Sequence, residues 1–276
     1  MTERRINPYG KNVFLTGGSS GIGLACANLL AQNGYKVFAA SRTPQTESAY
    51  MPGGGEIHPV KMDVCDQKSI ESAAEIILHN DVGIIIHSAG IGIACPAEDM
   101  PIEAVARLMD TNFFAVLHLN SLVVPRFRTR GSGLCIMISS VASLFPIPYQ
   151  SHYCSSKSAL EAYAASLRME LSDTNTKVCL VLPGDTNTGF TGARSFEVKK
   201  GSLNYDKCIR AVEKMEKDEI KGRPPISAAQ VVLKLCTKRN PPLRTIVGFD
   251  YKLLAFLRRF LPQRLVEFIL KKMYLG

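Results

Sequence analysis

The chain has 276 residues and lacks any run of about 20 uncharged apolar residues, so no membrane-spanning helix is expected. The first residues, "MTERRINPYGKNVFLTGG", pass from charge into a strand without the apolar segment of a secretory signal. The eight cysteines form no CxxC pair and follow no regular spacing, which speaks against a disulfide framework and a zinc site. They are expected as free thiols in a reducing compartment, so a cytoplasmic location is expected and no metal site. Repeats, low-complexity tracts and long linkers are all absent. One domain, 1–276, is therefore expected. Acid is scarce at the end of the chain. From Lys252 onward Glu267 stands alone against Lys252, Arg258, Arg259, Arg264, Lys271 and Lys272, a large part of a net charge of +9. Such a tail fits a solvated helix face or a membrane surface, while the excess charge elsewhere fits a phosphorylated ligand. It carries no nucleic-acid docking motif, so no nucleic-acid partner is expected.

Apolar residues make up 46% of the chain, enough for a sizeable core. The first 185 residues alternate short β-rich runs with longer helical patterns. Strands are expected at 12–16, 36–41, 57–64, 82–89, 134–140 and 177–183, and helices at 21–33, 68–79, 102–128 and 149–174. Several strands are apolar nearly throughout, as in parallel strands buried on both faces. The alternation implies an α/β fold with a doubly wound parallel sheet. After 185 the pattern loosens. The stretch 186–226 reads as an insertion over one sheet edge, containing a charged helix. A helix at 227–238, a short strand at 244–248 and the basic apolar tail at 249–276 follow.

"VFLTGGSSGIGLACANLL" sets a strand, a glycine turn and a helix in succession. Glycines at 17, 21 and 23 differ from the G-x-G-x-x-G spacing, but the physics is shared. Small residues let the backbone approach a pyrophosphate, and N–H groups at the helix start meet its charge. The turn residues Gly17, Ser19, Ser20, Gly21, Ile22 and Gly23 are thus candidates for a dinucleotide. The next strand ends in Ser41 and Arg42, with no carboxylate before Glu47, where an NAD binder usually has an acid. An arginine there favours a 2′-phosphate, hence NADP(H), against the plainer reading of a surface arginine. Asp63, with Val64 beside it, ends the third strand where an adenine edge would lie.

"YCSSK" places Tyr153 and Lys157 one helical turn apart. A free phenol titrates near 10, and an adjacent ammonium favours the phenolate, so the pair resembles a tuned acid/base. Cys154, Ser155 and Ser156 between them are small enough for close approach of a cofactor. Ser140 follows a strand at the carboxyl edge of the sheet, where doubly wound folds bind ligands. Its plainer reading is a cap or loop hydroxyl. Asn112 sits within a helical pattern that disfavours it, and its plainer reading is a bond to a local carbonyl.

"TGGSSGIG", "AG" at 89–90, "MDTNFF", "ISSVAS", "YCSSK" and "LPGDTNTGF" follow the motif order of the short-chain dehydrogenase/reductase family, in its shorter common class. The resemblance spans about 10–275. It implies a Rossmann fold and a tetrad of Asn112, Ser140, Tyr153 and Lys157. The serine would polarise the substrate oxygen and the tyrosine would pass the proton. The lysine would lower the tyrosine pKa and hold the nicotinamide ribose, and the asparagine would position a relay water. Ala89 and Gly90 match the cofactor-flanking "AG", and Pro183, Gly184, Thr186 and Thr188 match the segment beside the nicotinamide carboxamide. The family usually has two asparagines before "AG", the first tying the central strands together; here stand His87 and Ser88, and His87 is expected to replace that hydrogen bond without catalytic duty.

Within the family the chain is similar to hydroxysteroid-dehydrogenase-like and retinol-dehydrogenase-like members. The activity implied is NADP(H)-dependent interconversion of a secondary alcohol and a ketone on a small lipophilic substrate, with a hydroxysteroid as one example, by a homo-oligomer. The alternatives are an NADP(H)-binding sensor or scaffold without catalysis and a membrane-surface protein acting through its tail. Phe196, Leu203, Tyr205 and the "GF" at 189–190 suggest that 186–226 forms a mobile lid over a lipophilic substrate. In the tail, Pro262 should divide two short helices. Packing against the insertion or a second subunit is expected for their apolar faces, with peripheral membrane contact as the other reading.

Overall fold

The run Ile84, Ile85 and Ile86 is wholly buried, as a strand covered on both faces must be. Around it a computed structural model, which describes residues 7–45, 47–198 and 201–276, forms an eight-stranded sheet. The start of the N-terminal stretch (1–6) and Lys199 and Lys200 of the insertion lie outside the described residues. The strands are β1 (Asn12–Thr16), β2 (Lys36–Ser41), β3 (Ala49–Tyr50), β4 (Glu56–Lys61) and β5 (Ile84–His87). A short β6 (Ile93–Ala94) follows, then β7 (Gly133–Ile138), β8 (Thr176–Leu182), β9 (Ser195–Phe196) and β10 (Arg244–Ile246). The order is β10-β8-β7-β5-β1-β2-β4-β3; every pairing is parallel except that of the two-residue edge strand β3. The strand order reverses between β1 and β5, the point at which such sheets open a ligand crevice.

Helices α1 (Gly21–Gln32) and α7 (Ile226–Cys236) cover one face of the sheet. Helices α2 (Gln67–His79), α4 (Ala115–Arg130) and α5 (Ser151–Glu170) cover the other. The expected continuous helix at 102–128 is instead α3 (Ile102–Met109), a π-helical turn at Asp110–Phe114, and α4. α4 ends at Gly131, whose φ of 79° supplies the left-handed cap that glycine tolerates best. Five strands stop short of their expected ends, at Lys61, His87, Ile138, Leu182 and Ile246. Residues 62–64, 88–89 and 139–140 leave the sheet as they reach its carboxyl edge, because their backbone turns outward into the loops that carry the site.

The insertion contains β9, paired with β6 in a separate two-stranded ribbon, and α6 (Tyr205–Ile220). The tail forms α8 (Phe249–Leu257) and α9 (Gln263–Leu275), divided at Pro262 as expected. α9 packs on α6, with Val266 buried. In α8 the Tyr251 ring lies so close over Gly184 that a Cβ there would come within 2.1 Å of it. Its hydroxyl donates to Asp185 Oδ2 at 2.5 Å and accepts from the Asp185 N–H at 3.1 Å. Much of the tail's apolar surface nevertheless faces outward: Phe249 is 77% exposed and Phe260 72%. The expected packing against the insertion is thus present but covers a minor part of that surface.

Cutting the chain after Gly248 removes both the Tyr251 lock and the α9–α6 packing. The thermal midpoint should fall by at least about 4 °C, the shift that roughly 1–2 kcal/mol produces at this size. Limited proteolysis should then find 186–226 more sensitive. An unchanged midpoint and digestion pattern would show that the tail does not brace the insertion.

Candidate active site

The β1–α1 turn has room for little but backbone. Gly17 adopts φ 74°, and a Cβ there would lie 2.8 Å from the Ala89 nitrogen; one at Gly23 would lie 2.1 Å from the Gly17 carbonyl oxygen. Gly21, at φ 53°, faces the Thr188 side chain. No side chain caps the start of α1, which leaves its first-turn N–H groups for an anion. Thr16 Oγ1 accepts from the N–H groups of Ser88 (3.2 Å) and Ala89 (3.3 Å), tying the β5 loop to this turn.

A cavity of about 330 Å³ runs from this turn along the sheet edge to α5. Gly17, Ser20, Gly21, Ile22, Gly23, Arg42, Ala89 and Gly90 line it. So do Ser140, Tyr153, Lys157, Pro183, Gly184, Thr186 and Thr188. Four cofactor candidates stand outside its lining. Ser19 is exposed on the turn, and the Ser41 hydroxyl is buried at the end of β2. Asp63 and Val64 lie in the loop after β4, where the Asp63 carboxylate accepts from the Cys65 N–H at 2.9 Å. Arg42 is exposed, and among the described residues no carboxylate pairs with it. A tight glycine cradle, an uncapped helix start and an elongated cavity fit a dinucleotide.

Asn112 does not line the cavity. The π-helical turn swings it inward, where its amide donates to the Ile91 carbonyl (3.0 Å) and to Ser156 Oγ (3.1 Å). Its Oδ1 accepts from the Ile91 N–H at 2.9 Å. The bonds are therefore to a distant loop and to α5, not to a local carbonyl. Ser140 Oγ caps the short turn Val141–Ser143 by accepting from the Ala142 N–H (3.1 Å) and also hydrogen-bonds Tyr153.

Two expectations about α5 need correction. Cys154, Ser155 and Ser156 do not line the cavity. Ser156 meets Asn112 and Cys154 Sγ accepts from the Ile147 N–H at 3.4 Å, so the smallness of these two serves packing of α5 against the protein, while Ser155 is exposed. Nor does Lys157 lower the Tyr153 pKa here. Burial pushes that phenol up to about 12, opposed by the hydrogen bond from Ser140. Lys157 Nζ stands 5.7 Å from the ring centroid and donates to the Ile138 carbonyl at 3.1 Å, and burial pushes its own pKa down to about 8.

The insertion side of the cavity also differs from expectation. Phe190 lies 5.9 Å from the Tyr153 ring, centroid to centroid. Phe196, Leu203 and Tyr205 do not line the cavity, and Leu203 is almost wholly exposed. Arg194 and Glu219 line it instead, two charged residues that carry no motif and that α6 and β9 bring together. His87 is buried at the end of β5 with Nε2 2.9 Å from Asn120 Oδ1, so it ties β5 to α4 and not to a neighbouring strand.

Residues 11–198 match the family model described as short chain dehydrogenase. The chain belongs to this family, and it is an oxidoreductase of the nicotinamide-cofactor type. It is 34% identical to the 3-ketodihydrosphingosine reductase of Bacteroides thetaiotaomicron, over 95% of this chain and 97% of that protein. It is 28% identical to retinol dehydrogenase 8 of Bos taurus, over 91% and 86% respectively. The structure of a short-chain dehydrogenase from Streptomyces avermitilis superposes with a TM-score of 0.77 at 23% identity, covering 91% of this chain and 93% of that one.

His87 has a measurable consequence for stability. Burial holds its pKa down at about 4, against an ordinary value of 6.5. Between these values the unfolded chain binds more protons than the folded one, so stability falls as pH drops from 6.5 toward 4, by about 3 kcal/mol in all. His87→Gln should lose that part of the dependence. Urea midpoints of both proteins from pH 4 to 7 check this; parallel curves would mean that His87 is not the titrating group.

Proposed function

We propose that the protein is an NADP(H)-dependent oxidoreductase interconverting a secondary alcohol and a ketone on a lipophilic small molecule. The observation that carries this reading is the convergence of Ser140, Tyr153 and Lys157 on the cavity that begins at the glycine turn, with Asn112 bracing α5 behind them. When bound, the nicotinamide supplies or accepts hydride. Tyr153 is the proton donor to a ketone oxygen, and Ser140 donates a hydrogen bond to the same oxygen. Lys157 contributes a buried ammonium beside the phenol and a donor for the ribose. Asn112 positions α5 through Ser156. A phenol titrating near 12 stays protonated at neutral pH, which suits reduction. Alcohol oxidation needs the phenolate and should accelerate as pH rises.

Preference for NADP(H) is supported by Arg42, which lines the cavity where no carboxylate competes for a 2′-phosphate. A lipophilic ketone is supported by the relative named 3-ketodihydrosphingosine reductase, and the retinol dehydrogenase relative supports the alcohol direction; a relative named 17-beta-hydroxysteroid dehydrogenase type 1 supports a hydroxysteroid as a further candidate. Eight free cysteines, seven of them buried, support a reducing, cytoplasmic setting. Among the described residues no helix is long and apolar enough to cross a membrane. The outward Phe249, Phe256, Phe260 and Phe268, beside basic residues, support a contact beyond the monomer. In solution this joins a second copy in a homo-oligomer, and with lipid present it meets an anionic surface. Sedimentation with and without anionic liposomes tests both; a monomer that ignores liposomes would leave the tail without either partner.

Turnover of steroid, retinoid and long-chain ketone panels with NADPH tests the main reading. Tyr153→Phe should keep cofactor binding and lose about 10²–10⁴-fold in turnover; near wild-type rates would remove Tyr153 as the donor. Arg42→Ser should weaken NADPH about tenfold or more and leave NADH binding unchanged. Tighter binding of NADH than NADPH by the wild type would refute the cofactor assignment.

A further inference from the structure

The insertion wall of the cavity holds a buried arginine with unused donors. The Arg194 side chain is 3% exposed, and its Nη2 pairs with Glu219 Oε1. Its Nε and Nη1 are out of water and find no acceptor among the described residues. Glu219 does not serve them: its Oε1 takes Nη2, and its Oε2 accepts from Thr191 Oγ1 at 2.6 Å. The backbone fixes Arg194 closely. The next residue, Ser195, donates from its N–H to the Gly92 carbonyl at 3.1 Å and opens β9, which pairs with β6. Arg194 and Glu219 line the same cavity as Ser140 and Tyr153, which places the pair on the wall of the proposed reacting centre.

Buried donors without acceptors are costly, and charged ones more so. A bound molecule with an oxygen at this point would relieve that cost. Glu219 already balances the arginine charge, so the oxygen need not belong to a dianion; a hydroxyl suffices. We propose that Arg194 is a specificity-determining residue that receives a hydroxyl oxygen carried next to the reacting carbonyl, so that the enzyme selects lipophilic hydroxyketones over plain ketones. The inference rests on the proposed ketone reduction and narrows its substrate class. Phe190, whose ring is tilted 54° against that of Tyr153, would cover the apolar part of such a molecule, while Arg194 would take its polar end.

The test compares 1-hydroxydecan-2-one with decan-2-one, molecules that differ by one hydroxyl. Two readouts are taken: kcat/KM with NADPH, and calorimetric affinity for the enzyme saturated with NADP+, where neither ketone can be reduced. The wild type should favour the hydroxyketone by at least about tenfold in both, since a site built to bond a hydroxyl rejects the analogue without it. In Arg194→Met both ratios should fall to about one, and Arg194→Gln gives the same readout should the methionine variant fail to fold. A wild type that reduces both ketones with equal kcat/KM overturns the inference and leaves the proposed function standing. A wild type that reduces neither, yet binds the hydroxyketone tenfold tighter, overturns the proposed function and supports the clamp. A preference that survives in the Arg194 variants also overturns the clamp, because the selection would then come from elsewhere.

Discussion

Close backbone approach at the carboxyl ends of β1, β2 and β5 is the constraint on which the rest of the site depends. A Cβ at Gly17 would strike Ala89, one at Gly18 would come within 2.8 Å of the Ala39 side chain, and one at Gly23 would strike the Gly17 carbonyl. These contacts let the α1 start sit directly at the sheet edge where the strand order reverses. The cavity is the space left between that edge, α5 and the insertion. A side chain at Gly17, Gly18 or Gly23 would push α1 away from the sheet, and with it the N–H groups that would meet an anion.

Behind the cavity, polar groups are buried at a cost that hydrogen bonds only partly offset. Asn112 spends its amide on the Ile91 backbone and Ser156, which locks the π-helical turn to α5. Lys157 keeps one carbonyl partner, and burial depresses its pKa to about 8. The same burial raises the Tyr153 phenol to about 12. The two groups, nearly equal in proton affinity when free, are thereby driven apart, so that the phenol holds its proton more tightly than the ammonium does. Desolvation, and not the mutual attraction suggested by their spacing, sets the electrostatics of the pair in this structure.

The tail and the insertion form a second layer that closes on the first. Tyr251 rests on Gly184 and bonds Asp185, α9 packs on α6, and α6 carries Glu219 to Arg194. A residue 251 positions along the chain is therefore in contact with the segment assigned to the nicotinamide. The wall facing the substrate is mixed, with Phe190 beside a charged pair, which makes the cavity less uniformly apolar than the composition of 186–226 suggests.

Local pattern was enough for much of this protein. Apolar runs marked the parallel strands, the glycine turn marked the start of α1, and Pro262 marked the division of the tail, because each depends on a residue's own backbone preference or on its immediate neighbours. The helical spacing also placed Tyr153 and Lys157 on one face. Tertiary structure alone decided the rest. The π-helical turn at Asn112 exists because Ile91 and Ser156 reward it, and both are far from it in sequence. The small residues of α5 looked suited to a cofactor, yet they face Asn112 and the Ile147 loop, since periodicity identifies a face but not what it meets. Arg194 and Glu219 stand 25 residues apart in a stretch without pattern, and their burial as a pair arises from the packing of β9, α6 and α9. Long-range contacts of this kind leave no local signal, because neither charge alters the backbone preference of its own segment.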